Sequence, residues 1–412
     1  MTKRSFSFFL LLGGGFLDYF GIGLVFPLFS KIAFDSSLAF LDPGTSDAMR
    51  GLWMGLLIAL TPIVQFFASP FLGSLSDRIG RRPIILAAAC LATLSYGVAA
   101  LGILQSSLVL LLLYRALFGV CAATVNVAQA AVIDLSGEEG KASSLSYFNM
   151  ALGLGFMMGP FLGGRLADPA LISWFSLITP FVFSAAISAV NCWLLFWKLK
   201  ETRKGEKEKP LGGLQQLFSA FVYRPLRGYF LAFFLFFFGW DFFMEFAPVF
   251  LMKRFALNTA QIGNFYAYVG FAYALLAGFA ARPIVKRFAP KVVLYFTMVA
   301  GGICLLVGLL IRSPVAFLWY LPALCFCLAL YYPASAAFVS DSSSENRQGE
   351  VLGMFGSIQA LALVLSPLFT GAFIGRFPAF PLLMGGLFML FGAGVFAVQS
   401  ASDQKGDAEE AG

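Results

Sequence analysis

Three carboxylates interrupt apolar runs in this 412-residue chain. Asp18 sits in "GFLDYFGIGLVFPLF" (15–29), and Asp241 and Glu245 sit in "FFFGWDFFMEFAPVF". The latter two are four residues apart, so on a helix they share a face. Taking an ionised carboxylate out of water costs several kcal/mol, and such groups turn to the protonated form instead. A carboxyl that binds and releases protons under cellular conditions, and that attracts a polar or cationic ligand when ionised, makes proton and ligand competitors. That competition, with a site exposed alternately to two sides, suffices for exchange. Each carboxylate also has a plainer reading. Asp18 would be a hydrogen-bonded tether, Asp241 likewise structural, and Glu245, near the end of its run, would simply reach water. Whether Asp18 works alone or shares the proton with Asp241 stays open at this stage.

A fourth charge lies within an apolar run. Arg115, Gly119, Ala122, Asn126 and Gln129 recur at steps of four, three, four and three, and so fall on one helical face. A polar stripe with a buried arginine faces a cavity or another helix rather than lipid. Arg115 then either adjusts a carboxylate or makes a structural hydrogen bond between helices. Beside Asp241, Trp240 and Phe237 present aromatic faces that stack on rings or cations, while most other aromatics of that run contact lipid or bundle. Gln65, Asn126, Gln129, Tyr266 and Gln359 are the polar candidates for a ligand cavity, with Asn149, Tyr273 and Tyr332 behind them.

The elements that must position these residues follow from composition. The chain is 59% hydrophobic and only 12% charged, about half the charge of a soluble domain. Apolar stretches of roughly 20 residues, each able to cross about 30 Å of hydrocarbon, recur along its length. Helices satisfy their own backbone there. The expected fold is an all-α polytopic membrane protein with twelve spans, near 6–30, 51–73, 83–104, 107–131, 142–166, 174–198, 227–252, 261–284, 291–312, 315–338, 349–374 and 378–399. The first run outlasts a signal-peptide core and lacks an A-x-A site, so it reads as an uncleaved span. All six cysteines (Cys90, Cys121, Cys192, Cys304, Cys325, Cys327) lie in apolar runs and read as small buried hydrophobes. With no histidine and no metal-ligand spacing, no metal or other cofactor is expected. No nucleotide-binding loop points to ATP as a driver.

Of the 28 Lys and Arg, 20 fall on alternate loops of one side and 7 on the other, with Arg115 inside a span. That bias places both termini in the cytoplasm. The net charge of +7 is thus a topology signal, and nucleic acid is not an expected partner. The hydrophilic stretch "KLKETRKGEKEKPLGG" divides the chain into a six-helix half (1–198), a cytoplasmic linker (199–226), a second half (227–400) and a cytoplasmic tail (401–412). "LGGLQQLFSAF" in the linker reads as a short interfacial helix or as flexible chain. The halves correspond: Asp134 and Pro160 recur at Asp341 and Pro367 with an offset of 207, as do Glu138 and Gly164 at Glu345 and Gly371. Two parallel halves with a cavity between them near the midplane are a transporter architecture.

The loop "GSLSDRIGRRP" (73–83) closely resembles the signature loop of the major facilitator superfamily. "RALFGVCAA" (115–123) resembles that superfamily's fourth-span motif, and "GLGFMMGPFLGGRLAD" (153–168) resembles the fifth-span motif of its proton-coupled antiporters. "LDYFGIGLVFPLF" and "ENRQGEVLGMFGSIQALALVLSPLFTGAF" (345–373) resemble its drug:proton antiporters, particularly the tetracycline-exporter branch. That branch carries a functional histidine in its eighth span, which this chain lacks, and its pattern has no counterpart of Asp241 and Glu245.

The resemblance implies roles. Gly73, Asp77, Arg78, Gly80, Arg81, Arg82 and Arg347 form a cytoplasmic latch. In it Gly73 permits close helix approach, and Asp77 acts on the start of span eleven, with Arg347 as partner. Gly155, Gly159, Pro160, Gly163 and Gly164 form a span-five hinge that packs on the other half. Asp18, Arg115, Asp241 and Glu245 are the proton-coupling candidates. The expected protein is a monomeric secondary transporter of the bacterial inner membrane, not an enzyme. It would exchange protons for a small amphiphilic compound, exporting the latter. The alternatives are a transporter of a specific metabolite (a siderophore or sugar, in either direction) and a non-transporting receptor on the same scaffold.

Overall fold

The computed structural model describes residues 3–136, 141–202, 226–342 and 348–411. Among them, twelve helices are long and apolar enough to cross a membrane: Phe6–Phe34, Asp47–Ile79, Arg81–Leu104, Leu108–Leu135, Ser143–Leu166, Thr179–Lys198, Arg227–Phe255, Thr259–Arg287, Pro290–Gly308, Pro314–Asp341, Val351–Ile374 and Phe380–Asp403. We refer to them in order as spans one to twelve. Several outrun the hydropathy reading because their polar end turns remain helical. Span two, for example, begins at Asp47, where Ser46 caps it by accepting from the Met49 N–H at 3.3 Å. Span six starts later than expected: residues 174–178 are apolar but form turns, and Pro180 occupies the first helical turn. Span nine ends at Gly308 rather than 312. The linker reading over 211–221 and Arg347 lie outside the described residues.

The chain clusters into two compact units, residues 1–211 with 257–270, and residues 212–256 with 271–412. In the first unit, spans one and five pack backbone to backbone. A Cβ on Gly155, Gly159 or Gly163 would run into the carbonyl oxygen of Phe16, Phe20 or Leu24 respectively. Steps of four on one helix thus meet steps of four on the other, the small-xxx-small packing of helices in lipid. These three glycines therefore serve span one, whereas the resemblance implied packing on the other half. Gly164 and Pro160 look elsewhere, towards Thr259 and Gly263 at the start of span eight.

In the second unit, span seven is the buried helix. Phe233, Phe236, Phe237, Phe238, Trp240, Phe242 and Phe243 are all under 10% exposed. Of the two surroundings expected for them, lipid or bundle, these seven have the bundle. Phe236 stacks on Tyr331 with ring centroids 3.5 Å apart, and Phe237 packs among Tyr331, Tyr332 and Phe355. Gly239 and Gly385 bring spans seven and twelve together, each against the other's carbonyl.

The cysteines divide. Cys121, Cys325 and Cys327 are buried as expected, but Cys90 is exposed on its helix, with its sulfur 3.1 Å from that of the half-buried Cys192.

The glycine seam makes a sharp prediction. Gly159→Ala drives a methyl into the Phe20 backbone and should cost about 1–3 kcal/mol or more. Gly153→Ala, with nothing within 4 Å of the new methyl, should be neutral. Thermal unfolding in detergent, followed by size exclusion, compares the two.

Candidate functional site

Asp18 lies one residue past the middle of a glycine-rich stretch of span one, with Gly14 and Gly15 one turn before it and Gly21 one turn after. It is half-buried and makes no hydrogen bond or ion pair with any described residue. Its pocket is internal to the first unit. Spans one, three, four and six wall it through Gly14, Ala88, Ala92, Thr124, Ser188 and Asn191 among others, enclosing about 30 Å³. Span five fixes the helix from another side through the glycine seam. Gly21 leaves room for Tyr96, whose hydroxyl is buried without a partner among the described residues and whose ring meets Tyr114 and Phe118 at 6.0 and 5.4 Å.

Arg115 is 1% exposed. Its Nε donates to the Leu57 carbonyl at 2.7 Å and its Nη2 to the Ile58 carbonyl at 3.1 Å. The reason lies four residues on in span two. Pro62 has no N–H, so the Ile58 carbonyl loses its helical donor, and the proline ring crowds it. The guanidinium replaces that donor. Of the two readings left open, the inter-helix hydrogen bond is the one observed, and Asp18 forms no ion pair with Arg115.

The arrangement is reciprocal. Thr61 Oγ1 donates to the Arg115 carbonyl at 2.8 Å, and a Cβ on Gly119 would lie 2.7 Å from the Thr61 carbonyl oxygen. Span four itself breaks: helix Leu108–Ala122 ends, Ala123 and Thr124 turn, and helix Val125–Leu135 resumes. Gln65 Nε2 reaches the Ala122 carbonyl at 3.3 Å, at that break. The expected single polar face is therefore split. Arg115, Gly119 and Ala122 are buried against span two, Asn126 is exposed, and Gln129 bonds Asn149 at 3.4 Å.

In the second unit, Asp241 is half-buried and has no hydrogen bond or ion pair with any described residue. Glu245 is 3% exposed, which removes the reading that it simply reaches water. Trp240 and Phe237 are buried, and Gln359 is half-buried. Tyr266, in the first unit, stacks on Phe26 at 5.8 Å.

The loop between spans two and three is an ion cluster. Gly80, at φ +104°, makes the reversal. Across it Arg81 Nη1 pairs with Asp77 at 2.7 Å and bonds Ser76 at 2.6 Å, while its Nε lies 3.5 Å from Asp134 at the end of span four. Arg82 takes a different part, donating to the Leu199 and Phe196 carbonyls at the end of span six. Arg78 is exposed, and a Cβ on Gly73 would meet nothing within 4 Å.

Sequence reading missed three of these residues. Glu201 accepts the backbone N–H groups of Arg81 and Arg82 at 2.9 and 3.1 Å, capping span three from 120 positions away. Arg50, counted only for topology, is 4% exposed and bonds the carbonyls of Ala33, Asp42 and Thr45. Asn191, a lone amide within the sixth apolar run, carried the same signal as Asp18.

Twelve membrane-length helices with polar groups buried inside the bundle define an integral membrane transporter. The chain belongs to the Major Facilitator Superfamily, whose sequence pattern matches residues 11–367. It is 29% identical over 408 residues to the class C tetracycline resistance protein of Escherichia coli, covering 96% of each chain. It is 26% identical over 421 residues to multidrug resistance protein 2 of Bacillus subtilis (strain 168), covering 99% of this chain and 98% of the relative. The fold matches the crystal structure of a D-xylose-proton symporter with TM-score 0.78 at 14% identity, covering 95% and 97%. These relatives bear out the resemblance to the tetracycline-exporter branch and place the protein among transporters rather than enzymes.

The Arg115 geometry predicts a thermodynamic coupling. Arg115→Leu leaves the Ile58 carbonyl without a donor and takes from Leu57 its second one, and should cost about 1–3 kcal/mol. Pro62→Ala returns an N–H to Ile58, so the double variant should lose less than the sum of the singles in a double-mutant cycle of unfolding.

Proposed function

We propose that the protein is a proton-coupled antiporter that exports a small amphiphilic, drug-like compound by alternating access. It works as a monomer in the bacterial inner membrane with both termini cytoplasmic. The observation that carries this reading is Asp18, a carboxylate in mid-span with no hydrogen bond or ion pair to any described residue, on a helix held rigidly by the span-five seam. A group so placed is costly as a static tether, because it gains no partner in return for its burial. It suits a role in which the proton is the partner. Asp241 has the same character in the second unit, with Glu245 one turn on as a further candidate for the proton.

Arg115 enters this mechanism as the residue that fixes span two against span four, rather than as a counter-ion. The Asp77–Arg81–Asp134 cluster is the proposed cytoplasmic latch. Trp240, Phe237, Gln65, Asn126, Gln129, Tyr266 and Gln359 are the proposed contributors to the substrate path. Relatives named for tetracycline and multidrug resistance support export of an amphiphile. A chain without histidine departs from the tetracycline pattern, so the proposed cargo is a class rather than that drug.

The test uses ethidium, a cationic aromatic amphiphile, in energised inverted vesicles. Adding it should release protons with the native chain. Asp18→Asn should reduce that release by about tenfold or more while keeping its elution profile and unfolding temperature. Native-like release in that variant would remove Asp18 from coupling. In whole cells an uncoupler should raise ethidium accumulation, and a fall would mean uptake instead.

A further inference from the structure

The pocket beside Asp18 has the dimensions and the polar lining of a water site. It encloses about 30 Å³, whereas a buried water needs about 10–15 Å³ and two to four polar partners. Four polar side chains converge on it: Asp18, Thr124, Ser188 and Asn191. Each has capacity to spare. Asp18 and Asn191 bond no described residue. Ser188 shares one hydrogen bond with Thr93 Oγ1 at 3.2 Å, the Thr93 hydroxyl also donating to the Ala89 carbonyl at 3.0 Å, and in either direction of that bond it keeps a lone pair to accept. Thr124 Oγ1 donates to the Cys121 carbonyl at 2.7 Å and retains its lone pairs. The remaining wall is apolar, from Leu10, Leu11, Ile85 and Leu195. The titratable groups within electrostatic range of Asp18 are Tyr19 on its own helix, Tyr96 on span three and Cys121 on span four. The Arg115 guanidinium is tied to span two.

We propose that this pocket holds a water molecule that delivers protons to Asp18 and takes them away, with Ser188 and Asn191 of span six as its positioning residues. The inference rests on Asp18 being a proton carrier. A proton arriving from solvent adds to the water oxygen. One O–H bond of the resulting hydronium then breaks as a new one forms on a carboxylate oxygen of Asp18, and neutral water is left. Release runs the same steps backwards. The route lies among spans one, three, four and six, inside the first unit.

Deuterium replacement tests this without a transport substrate. In the full chain reconstituted in vesicles, infrared spectroscopy follows the protonated carboxyl stretch that Asp18→Asn abolishes, after a switch from water to heavy water. Asn191→Leu and Ser188→Ala should each slow its exchange by about tenfold or more, and Ser188→Thr, which restores the hydroxyl, should return it. Ser188→Ala removes a single oxygen and carries the test if the leucine variant does not fold. Native exchange rates in the folded variants would overturn the water path while leaving Asp18 as the carrier. Absence of any Asp18 carboxyl band in the native chain between roughly pH 5 and 8 would instead overturn Asp18 as the carrier, and the water path with it.

Discussion

Hydrocarbon donates no hydrogen bonds, so each helix that bends inside it needs a donor brought from elsewhere. Pro62, inside span two, leaves the Ile58 carbonyl without its helical N–H donor, and Arg115 supplies the replacement. Span four, broken after Ala122, receives Gln65 from span two in return. Thr61 and Thr124 complete the exchange through their hydroxyls. Two interrupted helices thus satisfy each other. The guanidinium that a sequence reader assigns to electrostatics is occupied with backbone repair. Its charge still stands near the rings of Phe29 and Tyr114, 5.6 and 5.9 Å from their centroids, where cation–π attraction offsets part of its desolvation.

The second constraint is close approach. Where Gly155, Gly159 and Gly163 meet the carbonyls of Phe16, Phe20 and Leu24, a side chain on either helix would force the axes apart. The seam fixes the rotation of span one, and that rotation aims Asp18 at spans three, four and six. A carboxylate's surroundings are in this way decided by residues that carry no functional group.

Much of this was legible. Twelve apolar runs fixed the class, and the small residues of span five announced a tight contact. Their partner could not be read, because steps of four on span five match any helix with a smooth face, and span one shows its fit only in its carbonyls. The break in span four left no mark: residues 121–125 include neither glycine nor proline, and hydropathy runs through them. Residues 174–178 erred the other way, being apolar enough for a span yet turned ahead of Pro180. In the signature loop the charges were visible, but not the division of labour. Arg81 gathers Asp77 and Asp134, while Arg82 caps a helix that ends more than a hundred residues later. Side chains that satisfy distant backbone are the hardest to foresee, since nothing in their own neighbourhood asks for them.

Glu201 and Arg82 exchange caps between the end of span six and the start of span three. The chain passing residue 202 is therefore moored to a helix other than the one it has just left. A pull on that strand is borne by the first turn of span three, next to the knot of Arg81, Asp77 and Asp134. Tension in the chain beyond residue 202 would thus register at the charge cluster before it could unwind span six.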